Sequence, residues 1–216
     1  MRVGIVLYPG SNCAEDMKRY FESFYDTSFY IWHKCDNIDD FDFDLLVIPG
    51  GFAFGDRYYE KATMGYDIDP GKMAIESPVT QIILEAVKLK IPILGVCNGF
   101  QILIKLGLLP GKLLLNLEKK FTCKKIKCIL NNEFIGKKNG VCVEMQVANS
   151  YGRYSIDNEV FLKMKKNNQI IMTYSDEDEY NNGSLYNIAG ICDKEHLIFG
   201  MMPHPERTFE KNIYEV

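Results

Sequence analysis

The chain has 216 residues, 25 basic against 29 acidic side chains, and 47% apolar residues of which aromatics contribute 12% of the chain. That apolar fraction supports a sizeable core and excludes a mainly disordered chain, while the net charge of −4 speaks against nucleic-acid binding by counterion release. No apolar run approaches the ~18 residues of a membrane-spanning helix, and the N-terminal run is too short for a secretion signal and lacks a cleavage pattern, so a soluble, cytoplasmic protein of one domain (1–216) is expected.

In chain order, RVGIVLY (2–8) reads as a buried strand ending at Pro9-Gly10-Ser11-Asn12. A helical pattern follows to about Tyr25. FYIWH (29–33) and LLVIP (45–49) read as strands, the latter ending at Gly50-Gly51. Residues 77–89 read as a helix with Ser77 as N-cap and Pro78 at its first position. IPILGV (91–96) is a further strand, followed by a helix over 98–106 that stops at Gly107. Apolar strands alternating with amphipathic helices predict a mostly parallel sheet flanked by helices. The second half is different. KIKCIL, GVCVEMQV, QIIMTYS, NIAGIC and HLIFGMM are short β-rich runs separated by turn signals such as Asn181-Asn182-Gly183, and predict an antiparallel extension of the sheet.

Seven cysteines, an odd number in a chain of this size, argue against a disulfide framework. There is no Cys-x-x-Cys pair, and Cys123 and Cys128 have no histidine nearby, so no metal site is expected. Cys97 is different from the rest. Gly95-Val96-Cys97-Asn98-Gly99 has the pattern G-x-nucleophile-x-G between a strand and a helix, the setting of a nucleophile elbow. Small residues two before and two after allow the tight turn. The thiol then projects at a sheet edge beside a helix N-terminus, where partial positive charge favours a thiolate.

Such a sulfur needs a proton carrier for its leaving group. Of the three histidines, His33 lies in an apolar run and His196 in a turn-like DKEHL. His204 follows an apolar strand in Met202-Pro203-His204-Pro205-Glu206-Arg207, where the prolines enforce extended backbone and Glu206 can reach back to the imidazole. Cys97, His204 and Glu206 are therefore the candidate catalytic set, with Glu206 fixing the tautomer. Backbone N–H groups of Asn98 and of either Gly51 or Phe52 are candidates for an oxyanion hole.

PGGFAFGD (49–56), GVCNGFQIL (95–103), GLLPG (107–111) and GMMPHPER (200–207) resemble the class I, or triad-type, glutamine amidotransferases. Within that class the chain is most similar to the glutaminase subunits of phosphoribosylformylglycinamidine synthases, in PGSNC (9–13), GRY (152–154), NNGS (181–184) and IAGI (188–191) as well. The resemblance implies a flavodoxin-like α/β fold, attack of Cys97 on the side-chain amide of L-glutamine, and delivery of ammonia for purine biosynthesis. It implies a synthetase subunit as partner, with room for a small third subunit, and places ATP and Mg on that partner with no cofactor in this chain. It also makes Gln101, Arg153 and Tyr154 substrate-binding residues; Gln101 lies one turn beyond Cys97 on the same helix face. Two departures stand out: Asn149-Ser150-Tyr151-Gly152 replaces the usual His-Gly-Glu-Gly run, and 57–76 is longer than the usual link.

No nucleotide site is visible. Gly65 to Met73 has five residues between its glycines, where a P-loop has four, and Met in place of the magnesium-binding Ser or Thr. Two other readings remain open at this level: a flavodoxin-like cysteine hydrolase or deglycase, and a non-catalytic pseudo-glutaminase that regulates a synthetase.

Overall fold

The computed structural model describes residues 1–25, 27–53, 76–131, 140–177 and 180–208. The P-loop-like stretch and nearly all of the long link at 57–76 lie outside the described residues.

A nine-stranded sheet organises the fold. Its first half is parallel: β1 (Arg2–Leu7) pairs with β2 (Thr27–Trp32) and β3 (Leu45–Ile48), and β3 pairs with β4 (Ile93–Val96). Four consecutive residues of β1 and all four of β4 are buried, the pattern of strands covered on both faces. Each fully buried Val or Ile there contributes about 1.5–3 kcal/mol. The helices are α1 (Ala14–Glu22), α2 (Val79–Lys88) and α3 (Asn98–Lys105), each amphipathic; α1 buries Ala14, Met17 and Phe21. No helix among the described residues is long and apolar enough to cross a membrane.

The second half supplies β5 (Lys112–Leu114), β6 (Thr122–Leu130), β7 (Cys142–Asn149), β8 (Arg153–Ser155), helix α4 (Asn158–Lys166), β9 (Ile170–Tyr174), β10 (Ile188–Cys192) and β11 (Ile198–Met201). Strands β10, β9, β6 and β7 extend the sheet in antiparallel fashion, as the sequence suggests, while β5 and β8 form a separate two-stranded pair. HLIFGMM does not belong wholly to that extension. Its strand, β11, is antiparallel to β10 but parallel to β4, with Met201 opposite Val96. The order β2-β1-β3-β4-β11 is thus the flavodoxin-like 2-1-3-4-5 arrangement with its fifth place filled from far along the chain. Gln146 on β7 bridges His204, whose N–H donates to the Gln146 carbonyl at 2.8 Å.

Ser77 does not cap α2. Its hydroxyl donates to the His33 carbonyl at 2.9 Å, the cap position falls on Pro78, and no side chain bonds the helix N-terminus.

Candidate functional site

Three adjacent parallel strands end at one place. β3 runs into Gly50-Gly51-Phe52, β4 into Cys97, and β11 into Met202-Pro203-His204. Cys97 is the cap of α3 with φ 52 and ψ −104, a conformation that non-glycine residues rarely adopt and that surrounding structure must enforce. The enforcement is visible. Cys97 N–H donates to the Met201 carbonyl at 2.7 Å, and the Cys97 carbonyl accepts from Gln101 N–H at 3.1 Å. A methyl group at Gly99 would sit on the Ile48 carbonyl, and one at Gly95 would lie 2.7 Å from the Gly99 carbonyl oxygen. The two glycines of the elbow are therefore dictated by close packing of α3 on β3 and β4.

The structure brings Cys97, His204 and Glu206 into one buried centre. His204 Nδ1 and Glu206 Oε1 are 2.6 Å apart, inside the range of a charge-assisted hydrogen bond. The pairing follows from extended backbone at His204 (φ −97, ψ 102) and the short 3₁₀ turn Pro205–Arg207. Burial disfavours a charged imidazole and is the strongest single influence on it. The Glu206 carboxylate and the Cys97 sulfur outweigh it together with hydrogen bonding from Cys13 and Cys97, and hold the His204 pKa well above the ordinary histidine value. The Cys97 thiol donates to the Ala148 carbonyl at 3.7 Å, which ties the elbow to the end of β7.

The Gly51 loop approaches from the other side. Gly51 has φ +147, and a Cβ there would meet the Gly10 carbonyl and the Asn12 nitrogen, so only glycine fits. Phe52 N–H is already engaged, donating to the Gly10 carbonyl at 2.8 Å, whereas Gly51 N–H donates to no group among the described residues. Asn98 is the first residue of α3, where the backbone N–H points out of the helix.

Gln101 is buried on α3 with its amide held at both ends: Oε1 accepts from Asn98 Nδ2 at 2.9 Å and Nε2 donates to the Tyr151 carbonyl at 2.9 Å. Arg153 and Tyr154 are placed differently. Arg153 Nε donates to the Leu115 carbonyl at 2.9 Å. Tyr154 is buried, its ring stacks 6.3 Å from Phe100, and its hydroxyl donates to the Pro110 carbonyl at 2.9 Å. The departure at 149–152 is filled by a polar knot in which Asn116 Nδ2 donates to both oxygens of Asn149, and Gly152 N–H donates to Asn116 Oδ1. Of the remaining histidines, His33 Nδ1 lies 3.3 Å from Ser77 Oγ, and His196 Nε2 lies 3.1 Å from the Asn167 carbonyl.

Sequence reasoning missed Cys13. Its sulfur, a His204 ring nitrogen and a Glu206 oxygen lie within 4.8 Å of one another. These are metal-ligand types, but Arg207 Nη2 donates to the same sulfur at 3.1 Å and sets a fixed positive charge where a cation would sit. The 2.6 Å contact between His204 and Glu206 is a direct hydrogen bond with no space for an ion between those atoms. Cys13 and Arg207 are 194 positions apart, a separation at which no local pattern signals contact.

A cysteine elbow beside a histidine–carboxylate pair at the carboxyl edge of a flavodoxin-ordered sheet is the arrangement that triad-type acyl transfer requires. The chain belongs to the family described as the CobB/CobQ-like glutamine amidotransferase domain, whose model matches residues 1–215. It is similar to the phosphoribosylformylglycinamidine synthase subunit PurQ of Aquifex aeolicus, at 39% identity over 222 residues, covering 97% of this chain and 92% of that protein. The subunit PurQ of Sulfurimonas denitrificans is 39% identical over 217 residues with the same coverage. Among solved structures, that of PurLQS from Thermotoga maritima aligns with a TM-score of 0.79 and 31% identity, covering 99% of this chain and 91% of that one.

Proposed function

We infer that this chain is the glutaminase subunit of a phosphoribosylformylglycinamidine synthase, a cytoplasmic enzyme of purine biosynthesis. The observation that carries the reading is the His204–Glu206 pair beside the Cys97 elbow, in a chain alike throughout its length to the PurQ subunits. Cys97 passes its thiol proton to His204 Nε2, and Sγ attacks the side-chain carbonyl carbon of glutamine. The N–H groups of Gly51 and Asn98 receive the oxyanion; the engagement of Phe52 N–H by Gly10 favours Gly51 over its neighbour. His204 gives its Nε2 proton to the amide nitrogen, the C–N bond breaks and ammonia leaves. Water, deprotonated by His204, then opens the γ-glutamyl thioester to glutamate; the C–S bond breaks and His204 returns the proton to the Cys97 sulfur. Glu206 holds Nδ1–H throughout and balances the imidazolium. Gln101, fixed by Asn98 and Tyr151, lines the substrate side of α3.

The ammonia passes to a synthetase subunit that binds ATP and Mg, with a small third subunit completing the assembly; this chain needs no cofactor of its own. The solved PurLQS assembly supports a partner of that kind. The test is release of glutamate and ammonia by the purified chain, alone and with its synthetase. Glutamine-dependent amidine formation in the complex is expected. No glutamine turnover in either state, with turnover of small aldehydes instead, would replace this reading by the deglycase one; no turnover of either would leave a scaffold.

Gly50 provides an early check. A methyl there would lie 2.6 Å from His204 Cε1 and 3.3 Å from Cys13 Sγ, both side-chain atoms. Gly50→Ala is therefore expected to fold and to displace the imidazole, lowering kcat about tenfold or more, since small misplacements of a reacting group are costly. Steady-state kinetics beside a thermal melt separates this outcome from unfolding.

A further inference from the structure

We propose that Cys13, pinned by Arg207, is a positioning residue that locks the His204 imidazole onto Glu206. The proposal rests on the glutaminase reading above for its kinetic arm only. Cys13 caps α1 and is buried, and its side chain makes no capping bond to the helix, so the sulfur is directed to something else. Its N–H donates to the Gly50 carbonyl at 3.2 Å, which fastens the start of α1 to the loop carrying Gly51. The space above Gly50 is shared by Cys13 Sγ and the Cε1–Nδ1 edge of His204: a point one bond above the glycine is 3.3 Å from the sulfur, 2.6 Å from Cε1 and 3.3 Å from Nδ1. Sulfur, imidazole and carboxylate lie within 4.8 Å of one another. Arg207 closes the arrangement from the far side, donating to the sulfur at 3.1 Å. The ring is thus walled by the Gly50 backbone and by a sulfur that a guanidinium holds in place. Glu206 Oε2 is buried and has no hydrogen-bond partner among the described residues, so a water admitted beside it would bond that oxygen and weaken the carboxylate's hold on His204 through Oε1. Excluding that water is the work assigned to Cys13. Tyr20, also on α1, lies within reach of the Glu206 charge, which after burial adds to the rise of its phenol pKa.

The chain has only three histidines, so ring-proton and ¹⁵N spectra of the isolated protein resolve the Nδ1–H of His204, with His33 and His196 as controls. In the wild type that proton is expected at low field and protected from exchange. Cys13→Ala should lose the protection and lower kcat in the synthetase complex about tenfold, with KM for glutamine within about twofold, as expected for a group that acts through the acid–base residue. Cys13→Ser, which keeps an acceptor for Arg207, should retain most of both signals. Arg207→Gln should move them in the direction of Cys13→Ala, and the double variant should be no worse than Cys13→Ala alone. A folded Cys13→Ala protein with an unchanged His204 signal, with kcat within about twofold of wild type, or with a change confined to KM would overturn the proposal. If Cys13→Ala does not fold, Cys13→Ser and Arg207→Gln decide it by the same two readouts, and an unmoved His204 signal in Arg207→Gln counts against it. Absence of glutamine turnover in the wild-type complex would sink the glutaminase reading and leave the spectroscopic arm standing.

Discussion

Cys97→Ala is expected to abolish glutamine hydrolysis, by about 10⁴-fold or more, while a complex containing it still makes the amidine from ammonium salts. In the proposed mechanism the thiol alone forms a covalent bond to glutamine, and oxyanion donors without a nucleophile accelerate little in comparison. The fold should survive. Alanine keeps the Cβ that the elbow already accommodates at φ 52, and the loss is one buried sulfur, on the order of 1 kcal/mol of packing. The hydrogen bonds that fix the turn, from Cys97 N–H to Met201 and from Gln101 N–H to Cys97, are made by backbone and remain. Measuring glutamine-driven and ammonia-driven synthesis side by side tests the division of labour. Loss of both activities in a correctly assembled complex would show that Cys97 contributes to more than ammonia release.

His204 and Glu206 should separate by magnitude and by pH. His204→Ala removes the proton donor and is expected to cost about 10³–10⁴ in kcat/KM. Glu206→Gln keeps an oxygen that can accept from Nδ1–H, so the tautomer survives, but the charge that supports the imidazolium is gone; a loss of about 10–100-fold is expected. The pH profile carries the sign. Burial pulls the His204 pKa down, and Glu206 with Cys97 more than reverses it, so the alkaline limb of the wild-type profile should lie above the ordinary histidine range. In Glu206→Gln the opposing influence of burial is less well matched, and that limb should move to lower pH. Equal losses in the two variants, with superimposable profiles, would reduce Glu206 to a structural residue.

Much of this was legible in the residues because the signals are local. The elbow is five consecutive residues between a buried strand and a helix. The histidine–carboxylate pair is two residues apart, although it closes through a 3₁₀ turn at Pro205–Arg207 and not through extended backbone alone, and β1, β3 and β4 announce themselves as apolar runs. What stayed hidden depends on long-range pairing. Nothing in HLIFGMM distinguishes an antiparallel neighbour of β10 from a strand that also runs parallel to β4, yet that choice delivers His204 to Cys97. Strands β5 and β8 have three residues each, too few for an alternating pattern, and α4 buries only Phe161 and Met164, a stripe too thin to stand out. Ser77 has the right position for an N-cap, but the His33 carbonyl, 44 residues away, claims its hydroxyl. Tyr154 sits in a recognisable motif, but the hydrogen bond of its hydroxyl to the Pro110 carbonyl, 44 residues away, is one that no motif encodes.

The seating of β11 between β4 and β10 has a temporal meaning. A ribosome making this chain completes the nucleophile's strand and helix about a hundred residues before it releases the segment bearing the imidazole. Until β11 slides into the gap, the nascent protein carries a sulfur with no acid to serve it. On the glutaminase reading, a chain that stops short of β11 should release no ammonia, and turnover becomes a readout of complete synthesis.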